Sequence, residues 1–206
     1  MTGGHLFHES HMVSSEPMTL AFVDDAARRG AVVANYVRAD ELLRANDAVV
    51  GVRASDAFTG EALEVRARLT LNAAGPWIGQ LDERLGASVV TGFSRGAHLV
   101  TRSLTADVAV ALPTRRKAEA VIDRGGRHVF VIPWRGHSMI GTTYGAFEGR
   151  PDDVGPLPRD TEELIGDINA ALGEETLGVE DVRYAWAGLY PLTAEEIDPA
   201  VYQGSA

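Results

Sequence analysis

Two turns set ten residues apart constrain this chain most, in the stretch "DRGGRHVFVIPWRGHSMIGTT", residues 123–143. The Gly125-Gly126 pair is a strong hairpin signal, because glycine takes the positive φ that tight turns need. Arg135-Gly136 marks a second turn. Val, Ile, Phe and Trp fill the space between them. Connections this short join antiparallel neighbours, since parallel strands need a crossover of a dozen or more residues. "ASVVTGFSRGAHLVTRS" (87–103) and "VEDVRYAWAG" (179–188) read as further strands of the same sheet. "RDTEELIGDINAALG" (159–173) is the clearest helix. Asp160 can cap it, Glu163 gives a capping-box spacing and Gly173 stops it. Leu164, Ile165, Ile168, Ala171 and Leu172 form its apolar stripe. An antiparallel sheet with one covering helix, an α+β unit, is therefore expected over residues 82–187.

The first part of the chain has a different texture. "MTGGHLFHESHMVSSE" lacks periodicity, and His5, His8 and His11 have no thiol framework around them, so it reads as a ragged lead. Pro17 suits a first helical turn. "PMTLAFVDDAARRG" then runs at helical spacing, with Met18, Ala21, Phe22 and Ala26 on one side and Gly30 as the stop. "AVVANYVRA" (31–39) reads as a buried strand bounded by Gly30 and the Asp40-Glu41 pair. "DAVVGVRASD" and "EALEVRARLTLNAAG" follow as strands joined at Thr59-Gly60. Residues 17–81 are expected to form part of an α/β layer.

Composition narrows the function classes. The chain has 206 residues, 45% of them hydrophobic, enough for one sizeable core or two small ones. Nineteen basic against twenty-nine acidic residues leave a net charge of −10, which gives no electrostatic footprint for nucleic acid or anionic lipid. With no cysteine, disulfides, thiol nucleophiles and thiolate metal sites are excluded, and a cytoplasmic location is compatible. No apolar run approaches the roughly 20 residues of a membrane helix.

"RARLTLNAAGPW" (66–77) then poses a specific problem. An alternating run ends in residues with almost no side chain. Either the chain turns a tight corner with Trp77 in the core, or its backbone lies against something large, flat and not protein. "LNAAGPW", "SRGAHLV", "VFVIPWRGHSMIGTT" and "YAWAGLYPL" occur in this order. Together they resemble the FAD-dependent glycerol-3-phosphate dehydrogenase family, within the wider glycine oxidase and D-amino acid oxidase flavoprotein superfamily. The resemblance covers roughly residues 17–206. It implies an FAD/NAD(P)-binding, Rossmann-like layer at 17–81, an antiparallel substrate domain at 82–187 and a return to the FAD domain at 188–206.

The resemblance also implies roles. Ala73, Ala74 and Gly75 would line the FAD site, with Trp77 covering it, because small residues let a backbone approach a dinucleotide closely. Val37, ending the strand of "GAVVANYV", would meet the adenine end. Gly188 and Leu189 would approach the flavin. "SRGAHLV" stands where the family has Lys-Gly-Ser-His. His98 is the candidate base for a substrate hydroxyl, since imidazole titrates near neutrality, or a hydrogen-bond donor to the substrate. An ordinary strand histidine is the alternative.

Two departures bear on substrate. Tyr144 replaces an aspartate after "IGTT". Tyr190 replaces the arginine that clamps the substrate, and a phenol offers one neutral hydrogen bond where a guanidinium offers two charged ones. Arg95 is the candidate to restore the charge, with Arg135 as the other, and a solvated surface arginine is the alternative reading of each. The Gly-x-Gly-x-x-Gly turn that holds the FAD pyrophosphate occurs nowhere in the sequence. The expectation is therefore an internal piece of a larger flavoenzyme, inactive alone. The intact enzyme would oxidise a polyol phosphate, passing electrons to a quinone or another acceptor, in the cytoplasm or at a membrane surface. An amine or amino-acid oxidase of the same superfamily is one rival. A non-catalytic sheet domain that binds a small molecule or partner is the other.

Overall fold

The computed structural model describes residues 3–81, 92–114, 128–173 and 175–192. Helix α1 spans Ser15–Arg28. Gly30, at φ 97°, closes it. The Gly30 N–H donates to the Ala27 carbonyl and the Ala31 N–H to that of Ala26, both at 3.0 Å, which is the Schellman arrangement. None of its residues is buried, and Phe22 is 70% exposed, so the expected apolar stripe faces outward.

Strands β1 (Val37–Ala45), β2 (Ala48–Asp56) and β3 (Ala62–Arg66) follow as an antiparallel sheet in the order β1-β2-β3. Asn46, at φ 53°, turns β1 into β2. The Asp56 carboxylate accepts the Phe58 and Thr59 N–H groups at 2.8 Å, and Gly60 at φ 75° completes the second turn. Two expected boundaries are corrected. The strand placed at 31–39 instead starts at Val37 and runs through Asp40-Glu41, because Arg53 on β2 bridges Glu41 and Glu64 across the sheet and satisfies the charge inside a strand. The strand placed at 61–75 ends at Arg66.

Residues 31–34 and 69–74 are therefore outside any strand, with Val32 99% and Leu71 87% exposed. Every strand pair among the described residues is antiparallel. The Rossmann-like layer expected over 17–81 is not seen there. A parallel strand is buried on both faces, and among the described residues no strand pairs with these stretches.

The second sheet matches the expectation closely. It contains β4 (Gly92–Arg102), β5 (Val110–Pro113), β6 (His128–Trp134), β7 (His137–Gly141), β8 (Gly145–Phe147) and β9 (Val182–Leu192). The order is β5-β6-β7-β4, with β8 continuing along the β7 side of β4 and β9 pairing with β4. Arg135 and Gly136, at φ 50° and 78°, form the β6–β7 turn. Gly125-Gly126 lies outside the described residues. β9 runs without interruption through the boundary expected at 187/188.

Helix α2 (Pro158–Leu172) covers one face of this sheet. Leu164 and Ile168 meet Leu99, Leu112, Val129, Val131 and Ile140 to form the core, with Ile165 and Ala171 at its margin. Leu172 is 41% exposed and leaves the stripe. Asp160 is not the N-cap: the helix starts two residues earlier at Pro158, and the Asp160 carboxylate reaches back to accept the Leu157 N–H at 2.6 Å. Among the described residues, no helix is long and apolar enough to cross a membrane.

Candidate functional site

Side chains on a strand alternate between faces, so β4 presents two different surfaces. Arg95, Ala97, Leu99 and Thr101 point toward α2. Ser94, Gly96, His98 and Val100 point the other way. Residues directly opposite one another across a ladder share a face. On β9, Tyr190 lies opposite Ser94, Gly188 opposite Gly96 and Trp186 opposite His98. On β7, Gly141 lies opposite His98. That second face, on which Ser94 and Val100 are buried, holds a trough. Two glycines, Gly96 and Gly188, form its floor, the His98–Trp186 pair closes one end, and Tyr190 stands at the other.

The His98 and Trp186 rings are stacked, with centroids 5.3 Å apart and planes 8° from parallel. Burial pushes the His98 imidazole below its ordinary value of 6.5, because the charged form loses solvation. The neutral ring, which can accept a proton, is the favoured form. Next to it, the second "IGTT" threonine ties β4 across the gap between β7 and β8. The Thr143 hydroxyl accepts the Ala97 N–H at 2.9 Å, and the Thr143 N–H donates to the Ala97 carbonyl at 3.1 Å. A Cβ on Gly96 would stand 2.5 Å from the Thr142 hydroxyl, so Thr142 overhangs the trough floor.

Arg95 is corrected from its expected place. Its guanidinium lies on the α2 face, 5% exposed, paired through both terminal nitrogens with the buried Asp160 carboxylate. It also donates from Nε to the Gly155 carbonyl at 3.1 Å. Burial alone would raise the Asp160 pKa. The Arg95 hydrogen bonds, the Leu157 N–H and the Arg95 and Arg159 charges outweigh it and hold the carboxyl below 3.8. Arg95 is a structural tie here, with no group turned to a ligand on the His98 face. Arg135 donates to the Ser14 hydroxyl at 2.7 Å and sits 5.1 Å over the Trp134 ring. Leu189, opposite Arg95, also points to the α2 face, so only its backbone can meet a ligand in the trough.

The Ala-Ala-Gly loop is held by a residue that the sequence reading passed over. The Asn72 side chain accepts the Ala74 N–H at 3.2 Å and donates to the Ile78 carbonyl at 3.0 Å, clasping both ends. An Asx side chain two residues before a turn is the signal that could have shown it. Gly75 (φ 56°) opens a 3-10 turn, Gly75–Gln80, that packs against β9. Trp77 is 41% exposed, with its indole N–H donating to Asp152 at 3.0 Å, so the buried corner is not what forms. An added Cβ at Gly75 or Gly188 meets nothing within 4 Å. The loop and the Gly188 backbone are thus open on the side where a flat group could lie, and they fit a flavin nucleotide on those grounds. Val37 stands apart, at the start of β1 opposite Asp56 on the three-stranded sheet rather than at the end of a strand.

Comparison with known proteins fits this geometry. Residues 1–205 match the family model described as FAD dependent oxidoreductase. The alpha-glycerophosphate oxidase of Streptococcus pneumoniae is 32% identical over 178 residues, 82% of this chain and 28% of its own length. A glycerol-3-phosphate dehydrogenase of Mycobacterium tuberculosis is 32% identical over 96% of this chain and 32% of its own. The solved glycerol-3-phosphate dehydrogenase of Bacillus halodurans, complexed with FAD, superimposes with a TM-score of 0.75 at 29% identity, over 90% of this chain and 37% of that one. Glycine oxidase from Geobacillus kaustophilus shares the fold at TM-score 0.56 and 18% identity. The chain spans about a third of the length of the relatives it matches. A neutral histidine over a glycine-floored trough, an open loop of small residues and a match along nearly the whole sequence converge: this chain belongs to the FAD-dependent oxidoreductase family.

Proposed function

We propose that this chain forms the substrate-facing sheet, and one side of the flavin site, of a dehydrogenase acting on secondary alcohols of the glycerol 3-phosphate class. The observation that carries the reading is His98, stacked on Trp186 at the end of the Gly96–Gly188 trough. The FAD, when bound, supplies the hydride acceptor. The backbones of Ala73, Ala74, Gly75, Gly188 and Leu189 would hold it, with Trp77 at its edge. His98 accepts the hydroxyl proton as the hydride leaves the adjacent carbon, and the alcohol becomes a carbonyl. Tyr190 orients the far end of the substrate. The electrons pass on to a quinone or another acceptor, and a cytoplasmic enzyme with peripheral membrane contact accommodates either. The names of the relatives support the substrate class.

The test is rapid-mixing reduction of the bound flavin by glycerol 3-phosphate in the intact flavoenzyme. His98→Gln keeps the shape and removes the basic nitrogen, so reduction falls by about 10²–10⁴-fold while thermal melting barely moves. Reduction at the parental rate defeats the reading. Because burial lowers the His98 pKa, the parental rate holds as pH falls through 6.5 and drops only below it. A second reading, an amine or amino-acid oxidase, is favoured by one observation: Tyr190 replaces the substrate arginine and Arg95 is held by Asp160. Reduction by glycine or a D-amino acid, with none by glycerol 3-phosphate, selects it.

A further inference from the structure

We infer that Trp186 and Gly141 together lock the His98 imidazole in its working orientation, so that Trp186 is a positioning residue and the "IGTT" glycine exists for the histidine ring. The catalytic purpose of the lock rests on the reading of His98 as the base. The three residues form one row across β7, β4 and β9, Gly141–His98–Trp186. A histidine on a strand turns broadly about its last torsion, because that torsion has no sharp staggered wells. Here the plane is set by Trp186, stacked at 5.3 Å and 8°.

The ring's position is set from the other side. A Cβ on Gly141 would overlap the imidazole, with Cγ and Nε2 of the ring only 2.7 Å away. Gly141 does not have the positive φ that favours glycine. A side chain at 141 would meet the His98 ring, and one of the two would have to shift. By contrast, Gly145, four residues on, could carry a Cβ with nothing within 4 Å. The aromatic wall continues with Tyr184, 6.1 Å from Trp186 and tilted by 30°, which backs the indole in turn.

The lock is tested first without flavin, in the full 206-residue chain. The carbon-bound imidazole protons of His98 are followed by NMR. In the parent they lie upfield, shifted by the Trp186 ring current. Trp186→Leu should return them to the ordinary histidine position, and Trp186→Phe should keep most of the shift. Gly141→Ala should displace them with the indole still present. It adds a single methyl, so it carries the test even if Trp186→Leu does not fold.

In the intact flavoenzyme, flavin reduction should fall about 10²-fold in Gly141→Ala and Trp186→Leu, the loss typical of a group misplaced by about 1 Å, and stay near the parental rate in Trp186→Phe. Imidazole signals unmoved by Gly141→Ala overturn the lock. Moved signals with unimpaired reduction overturn the positioning role. A parental rate in His98→Gln removes the catalytic reading while the ring shifts still decide whether the lock exists.

Discussion

Arg95 and His98 stand three residues apart on β4, and the two-residue period of a strand sends them to opposite faces. That parity separates the chemistry of "SRGAHLV" into a buried tie and an open base. Removing one partner of a buried ion pair costs about 3–5 kcal/mol, because the other charge is left without compensation. Asp160→Asn should therefore destabilise the chain by about that amount, read from urea unfolding; a loss under about 1 kcal/mol would show that the pair is dispensable. The pH dependence follows in sign. The folded Asp160 pKa lies below 3.8, so its stabilisation is complete above 3.8 and is lost as pH falls through the lower folded value. The variant should lose that acid limb. At the far end of the trough, Tyr190→Arg offers a phosphate two charged bonds in place of a neutral one. A charged hydrogen bond is worth about 1.5–3 kcal/mol, so the concentration of glycerol 3-phosphate that half-saturates flavin reduction should fall by about 10- to 150-fold. An unchanged value would place the phosphate elsewhere.

At the scale of elements, the sheet of β4–β9 was legible and the first 81 residues only partly so. Turn chemistry decided the difference. Arg135-Gly136 announces a hairpin and forms one, with both residues at positive φ. Gly136→Ala should cost about 1–2 kcal/mol through left-handed strain, while Gly145→Ala, with open space and ordinary φ, should be near neutral in the same unfolding measurement. Equal effects would remove turn strain as the cause. The α2 stripe was readable because its period of 3.6 meets a core. Its cap was misassigned because Asp160 serves as both N3 acceptor and Arg95 partner, and a sequence does not show the second bond. Val32, Val33, Leu69 and Leu71 read as buried strand residues because they are apolar and β-prone. Pairing decides a strand, and among the described residues no strand pairs with them. His98, Gly188 and the 73–77 loop were legible through motif order. Gly141, Thr143 and Trp186 were not, because each acts on a neighbour distant in sequence, whereas Asn72 acts locally on Ala74 and Ile78 and carried a readable Asx signal.

For the whole molecule, the question is how firmly a chain of this extent can hold FAD. The trough and the loop offer backbone and aromatic surface to a ring system. The diphosphate needs something else: several N–H groups converging at a helix N-terminus, and a favourable field. Neither described α-helix offers that. The first turn of α1 carries Glu16, which repels a phosphate. The first turn of α2 carries Asp160, spent on Arg95 and on the Leu157 N–H. No Gly-x-Gly-x-x-Gly triplet occurs in the sequence, and the net charge of −10 opposes a dianionic ligand at long range. The flavin should therefore bind with a Kd weaker than about 1 μM, short of the roughly 8 kcal/mol that such affinity represents. Titration followed by flavin fluorescence measures this directly, and gel filtration of the mixture should separate protein from cofactor. Protein that emerges with one flavin per chain would mean that the diphosphate is held by groups other than a helix N-terminus. In that case the arginines would be the first to substitute, beginning with Arg135, whose loss leaves the buried Arg95–Asp160 pair untouched.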